Sequence, residues 1–186
     1  MDRKPANINN IPVRHTLCFC LREESVLMLR RERPPHRGLW NGLGGKIEPG
    51  EPPLRAVRRE VLEESGLDLD GARRLRYAGV VTWEEVGSCT TVGTGGGSGS
   101  TYKSGGMYTF IAELTGETPL TEDRDSEEGL LGWRPLAWVC DPENPAVVGN
   151  IPRFLPPMLS DEEPAHYHCE YRAGAPLRVL KSGIEV

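Results

Sequence analysis

Between Gly45 and Leu67 the chain reads GKIEPGEPPLRAVRREVLEESGL, with five glutamates in 23 residues. Three of them, Glu60, Glu63 and Glu64, stand at i, i+3 and i+4. On an α-helix those positions share a face. Like charges at that spacing repel and weaken a helix. A solvated surface is the ordinary explanation for such a face, and a bound cation is the sharper one. Clustered carboxylate oxygens suit hard divalent ions such as Mg²⁺ or Mn²⁺.

The flanking residues argue for a helix with defined ends. Pro49-Gly50 favours a turn. Pro52 and Pro53 suit a helix start, where the first N–H groups lack partners anyway. Gly66 fits the stop. The helix is therefore expected from about Pro53 to Ser65, with Leu54, Val57, Val61 and Leu62 on its buried side and the glutamates opposite.

The spacing is more specific than the charge. Gly45, Glu51, Arg59-Glu60-Val61, Glu63-Glu64 and Gly66-Leu67 match every fixed position of the Nudix box, Gx5Ex7REUxEExGU with U aliphatic. The chain thus resembles the Nudix hydrolase family, through a motif covering about an eighth of its length. The resemblance implies an α+β fold, an α/β/α sandwich around a mixed sheet. It implies Mg²⁺, with Mn²⁺ as substitute, held by Glu60, Glu63 and Glu64. Glu51 and Arg59 read as an ion pair orienting loop and helix. Glu60 is the best candidate within the box for deprotonating water.

Residues outside the box extend the resemblance. Trp40-Asn41-Gly42-Leu43-Gly44-Gly45-Lys46 is similar to the segment of the subgroup that hydrolyses oxidised purine nucleoside triphosphates, above all the MutT-like 8-oxo-dGTP diphosphatases. In that subgroup the Asn41 position lies in the nucleotide pocket, and the Gly44 position offers a backbone carbonyl to metal. Glycine lets backbone approach a ligand closely. Glu128, five residues before Trp133, matches an acidic position that reaches the metal from a separate loop as ligand or general base; Glu127 competes with it. Asn150, near the start of the last long helix, is the candidate for reading a base, because an amide both donates and accepts. Lys46, Thr16 and Arg31 complete the expected substrate contacts. The paired aspartates and preceding tryptophan of the animal oxidised-purine enzymes are absent, which separates base selectivity from the rest of the match.

Composition sets outer limits. At 186 residues with 38% hydrophobic content, a single domain over 1–186 is the default. A net charge of −5, from 22 basic and 27 acidic residues, argues against a binder of polymeric nucleic acid. No apolar run approaches the roughly 20 residues of a membrane span. The polar N-terminus lacks a signal-peptide core. Cys18, Cys20, Cys89, Cys140 and Cys169 are odd in number and scattered, without a disulfide or zinc pattern. A reduced, cytoplasmic protein is expected, with its oligomeric state open.

Along the chain, residues 12–21 and 25–31 read as a hairpin. Strands are expected at 75–84 and 107–114, separated by a flexible Gly/Ser-rich loop at about 87–106. Leu130–Val139 reads as strand then short helix, and Ile151–Leu159 begins a second helix limited by its prolines. His166–Tyr171 and Leu177–Lys181 form a final hairpin. His166 and His168 flank Tyr167; they suit zinc, or simply one face of a strand.

These features together imply a Mg²⁺-dependent hydrolase of a nucleoside triphosphate, with 8-oxo-dGTP a candidate, yielding monophosphate and pyrophosphate. The catalytic candidates are Glu60, Glu128 and Arg59. ADP-ribose or a dinucleoside polyphosphate is the alternative substrate. NADH and coenzyme A also occur in the family, but the SQPWPFPxS run of its NADH enzymes is not found here. A non-catalytic nucleotide-binding regulatory module is the alternative of another class.

Overall fold

The computed structural model describes residues 11–85, 104–115, 122–172 and 175–184. The Gly/Ser-rich stretch expected at about 87–106 falls almost wholly outside them. The described strands are β1 (Val13–Arg22), β2 (Ser25–Arg31), β3 (Trp40–Asn41), β4 (Arg74–Glu85), β5 (Gly105–Glu113), β6 (Arg124–Asp125), β7 (Gly129–Pro135), β8 (Ala165–Arg172) and β9 (Ala175–Gly183). They form one sheet in the order β6-β7-β2-β1-β5-β4-β8-β9, with β3 also paired to β2. The pairs β1–β5 and β4–β8 are parallel and the others antiparallel. The helices are α1 (Pro53–Ser65), α2 (Leu136–Val139) and α3 (Ile151–Ser160).

Strand alternation gives the sheet two apolar faces. On one, Cys18, Cys20, Leu27, Leu29 and Phe110 pack with Val57 and Val61 of α1. On the other, Phe19, Met28, Val81 and Tyr167 pack with Phe154, Leu155 and Met158 of α3. Phe154 is fully buried, its ring centroid 6.1 Å from Phe19 and 6.4 Å from Tyr167. A sheet covered on both faces by helices is the expected α+β sandwich.

Helix α1 spans the expected residues and ends at Gly66 with φ 73°, its N–H bonded to the Leu62 carbonyl. Its burial departs from expectation. Leu54 and Leu62 are 46% and 50% exposed, and the buried residues are Ala56, Val57, Val61 and Ser65. At about 100° per residue, Glu64 projects about 20° from Val57, on the side away from Val61, and Glu60 about 40° further round. Two of the glutamates therefore border the packed face instead of opposing it. Glu63 alone turns out to solvent, 59% exposed.

Candidate active site

The glycine-rich segment is bound edge-on to β1. The Thr16 N–H donates to the Gly45 carbonyl at 2.8 Å, and Cys18 and Leu43 exchange backbone bonds at 2.6 and 3.0 Å. Gly44 has φ 140°, and an added Cβ there would overlap the Thr16 carbonyl oxygen. A Cβ at Gly45 would overlap the Glu60 carboxylate. Glycine at both places lets the loop lie between β1 and α1 with its backbone against the glutamates.

Arg59 fastens this loop. Its Nε and one terminal nitrogen donate to the two oxygens of Glu51 at 3.0 and 2.9 Å. The guanidinium also donates to the Lys46 carbonyl at 3.1 Å, to Glu60 at 2.8 Å and to Glu63 at 3.1 Å. The expected Glu51–Arg59 pair is thus present in fork-to-fork form. Its hydrogen bonds hold the Glu51 carboxyl down at about 2. The same bonds keep Arg59 charged.

Glu60 and Glu64 are pushed the other way. Burial raises Glu60, against the hydrogen bond and charge of Arg59. Burial raises Glu64 to about 8, opposed by the Gly44 N–H, which donates to it at 2.9 Å. The charges of Glu60 and Glu128 push Glu64 up further, and Arg31 pulls it down. Glu128 stands on a separate loop, close enough for its charge to act on Glu64. Its oxygens lie 3.7 Å from Arg31 and 4.0 Å from Arg33. Its carbonyl accepts the Glu32 N–H at 3.0 Å. Carboxylates lie around the glycine loop with their charge only partly compensated, but among the described residues they do not converge to within 4.8 Å of one another as Glu84, His168 and Glu170 do. A hard divalent cation fits that donor set.

A cleft of about 510 Å³ begins at Gly44 and Gly45, beside this cluster; Glu60, Glu63, Glu64 and Glu128 are not among its lining residues. Every expected substrate residue lines it: Thr16, Arg31, Asn41, Lys46 and Asn150, with Gly44 at the carboxylate end. Arg31 is pinned by its Nε–H, which donates to the Pro35 carbonyl at 3.1 Å. His15 and His36, also in the lining, are lowered first by burial and then by the neighbouring cations Lys46 and Arg31 respectively. The far end is walled by Leu17, Trp83, Met107, Val148, Ile151 and Tyr171. Sequence reasoning missed Trp83, Glu84 and Glu85 as lining residues. The available signal was the Trp83-Glu84-Glu85 end of that strand.

The histidine pair lies on one face of β8, as strand alternation predicts. Both rings meet the Thr82 hydroxyl, His166 Nε2 at 2.7 Å and His168 Nδ1 at 2.8 Å. His168 Nε2 stands 3.3 Å from Glu84, and Glu170 accepts two bonds from Arg178 at 2.8 and 2.9 Å. Glu84, His168 and Glu170 bring ligand atoms within 4.8 Å of one another, yet Thr82 and Arg178 already engage two of the three.

A glycine loop leading into a helix whose glutamates lie against it, on a mixed sheet covered by helices on both faces, is a Nudix-type arrangement. The model of the NUDIX domain matches residues 12–155, and the chain belongs to the Nudix family. An oxidized purine nucleoside triphosphate hydrolase of Mus musculus is 40% identical over 74 residues, covering 40% of this chain and 46% of the relative. The 8-oxo-dGDP phosphatase of Mus musculus is 30% identical over 143 residues, covering 72% of this chain and 38% of the relative. The matched region is less than half the length of each. The crystal structure of the MutT protein from Bacillus halodurans superposes with a TM-score of 0.66 at 24% identity, over 91% of this chain and 97% of that one, and so shares the fold. Among the described residues no helix is long and apolar enough to cross a membrane.

Proposed function

We propose that this protein is a Mg²⁺-dependent hydrolase of nucleoside triphosphates, with purine substrates such as 8-oxo-dGTP favoured, releasing monophosphate and pyrophosphate. The observation that carries this reading is the continuity of one cleft. It runs from Gly44 and Gly45, the loop glycines against which Glu64 and Glu60 lie, past Arg31 and Lys46 to a largely apolar chamber lined also by Asn41 and Asn150. Triphosphate, sugar and base fit that sequence of environments. The names of the two mouse relatives agree with an oxidised purine substrate.

Glu60, Glu63, Glu64 and Glu128, with the Gly44 carbonyl, would hold the ion. When bound, it would neutralise charge developing on the phosphates and lower the pKa of a water ligand. Arg59 positions Glu60 and Glu63 and ties them to the Lys46 backbone. Arg31 and Lys46 supply the cations that a phosphate chain needs near so many carboxylates. Glu60 or Glu128 accepts the proton of the attacking water. The attack breaks one phosphorus–oxygen bond of the anhydride, and the products leave as two phosphate anions.

The test is a hydrolysis screen with Mg²⁺ across 8-oxo-dGTP, ordinary nucleoside triphosphates, ADP-ribose, NADH and diadenosine polyphosphates, with Glu63→Gln as control. Turnover of triphosphates that is lost in the variant supports the reading. Turnover confined to ADP-ribose or dinucleotides replaces the substrate, and nucleotide binding without turnover replaces the enzyme with a binding module.

A further inference from the structure

Away from the box, strands β4 and β8 run parallel, with Thr82 opposite His168 and Glu84 opposite Glu170. Alternation places these four side chains on one face, because Val81, Trp83, Tyr167 and Cys169 belong to the core on the α3 side. Ligand atoms of Glu84, His168 and Glu170 all lie within 4.8 Å of one another. The imidazole adds what clustered carboxylates alone would not. His168 is 2% exposed, and its Nε2 has no hydrogen-bond partner among the described residues. It stands 3.3 Å from Glu84 but out of line for a hydrogen bond. A buried polar atom left this way is costly.

The other ring nitrogen is already engaged. His168 Nδ1 and His166 Nε2 meet the Thr82 hydroxyl at 2.8 and 2.7 Å. A hydroxyl has one proton, so Thr82 accepts from one ring and donates to the other. With its proton on Nδ1, His168 donates to Thr82, and Thr82 donates to His166. Nε2 then keeps a lone pair beside two carboxylates. Acceptors cannot satisfy one another, but a cation among them can. The opposite order puts a proton on Nε2 where the nearest carboxylate is misaligned to accept it.

The carboxylates are also set up as ligands. Arg178 donates to both oxygens of Glu170 at 2.8 and 2.9 Å. Each oxygen retains a further lone pair, and such outer hydrogen bonds orient metal ligands. Glu84 is part-exposed and gives an ion its way in. A tetrahedral ion with bonds of about 2.0–2.1 Å has ligand atoms about 3.3–3.4 Å apart, which the separation of His168 Nε2 and Glu84 matches.

We infer that His168, Glu84 and Glu170 bind a transition-metal dication of the Zn²⁺ class, which clamps the ends of β4 and β8 together. Imidazole nitrogen favours Zn²⁺, whereas the all-oxygen set of the box favours Mg²⁺. The two histidines do not chelate as a pair: His166 is turned to Thr82 and lies 3.5 Å from the Ser182 hydroxyl. The site is separate from the box and independent of the nucleotide reading.

The test uses untagged, chelator-stripped protein in excess Mg²⁺. Wild type is expected to retain one Zn²⁺ at this site by calorimetry, and Co²⁺ in its place should show the strong visible absorption of a four-coordinate ion. Glu84→Gln and His168→Gln should each weaken that Zn²⁺ by at least about ten-fold and remove the absorption. Glu63→Gln, in the box, should leave both unchanged. Thermal melts check folding; Glu84 is part-exposed, so its variant decides the matter should the buried His168 variant not fold. Zn²⁺ that Mg²⁺ displaces, or that survives Glu84→Gln in folded protein, lies elsewhere and overturns the inference. Failure of wild type to bind Zn²⁺ overturns it too, and leaves triphosphate hydrolysis standing.

Discussion

Replacing Glu64 with glutamine should stabilise the metal-free protein, and increasingly so as pH rises. The carboxyl is raised from 4.5 to about 8, first by burial. Between those values the native state keeps a proton that the unfolded chain has released. Stability therefore falls as pH rises through that window, with the full penalty present above pH 8. At about 1.36 kcal/mol per pKa unit, the shift corresponds to at most ~5 kcal/mol. Glu64 keeps a solvent-facing edge, and allowing for screening there leaves roughly 2–3 kcal/mol. In a domain of this size that is about 5–10 °C in Tm. Glutamine keeps an oxygen for the Gly44 N–H and removes the charge. Calorimetric melts with chelator at pH 5 and pH 8.5 should give similar Tm values at pH 5 and a more stable variant at pH 8.5. Adding Mg²⁺ at pH 8.5 should raise the wild-type Tm and move the variant less, because binding to the native state adds stability. A Tm difference that stays constant across pH refutes the reasoning, as does a variant destabilised throughout.

Glu60→Gln should lower kcat by about 10²-fold or more, the usual scale for losing a general base; steady-state kinetics with saturating Mg²⁺ measures it. Gly44→Ala combines a backbone region reserved for glycine with overlap of the Thr16 carbonyl. It should destabilise by roughly 2–3 kcal/mol in denaturant unfolding and weaken Mg²⁺ binding. Phe154→Ala should destabilise by about 3–5 kcal/mol, because the ring is fully buried between Phe19 and Tyr167.

What was legible in the sequence depended on how local the cause was. Helix α1 could be placed because prolines, a terminal glycine and helical spacing all act within one element. The β1–β2 and β8–β9 hairpins were legible from short connections between alternating runs. The parallel pairing of β1 with β5 was not, since Val13 meets Gly106 far along the chain and a strand's own pattern does not name its neighbour. Leu54 and Leu62 misled because hydrophobicity does not say where the sheet beneath a helix ends. Strand β6 lay hidden in an acidic stretch. It is held by the sheet edge and by Arg124, which donates to the Ser65 carbonyl at 2.6 Å. Among site residues, those with sequence neighbours of fixed type could be proposed from the sequence. Glu85 was not, because it comes to line the cleft only where β4 meets residues of other elements such as Asn150.

The deepest loss of information concerns the three helix glutamates themselves, which spacing presents as equivalent. Packing makes them unequal. Glu63 is solvated and paired with Arg59. Glu60 is half-buried and shares that arginine. Glu64 is largely enclosed, receives the Gly44 N–H, and has its carboxyl pushed up to about 8 by burial. A cation that takes Glu64 as a ligand at pH 7 must displace its proton, since metal ligands bind deprotonated. Binding should therefore release close to one proton per site, and affinity should rise by about tenfold per pH unit up to roughly pH 8 before levelling. Calorimetry of Mg²⁺ binding in two buffers of different ionisation enthalpy counts that proton directly. Glu64→Gln should abolish the release, whereas Glu63→Gln should weaken binding and leave the proton count unchanged. A wild-type protein that binds Mg²⁺ at pH 7 without releasing a proton would show that the ion sits on the exposed glutamates and that Glu64 is only a buried anchor for the glycine loop.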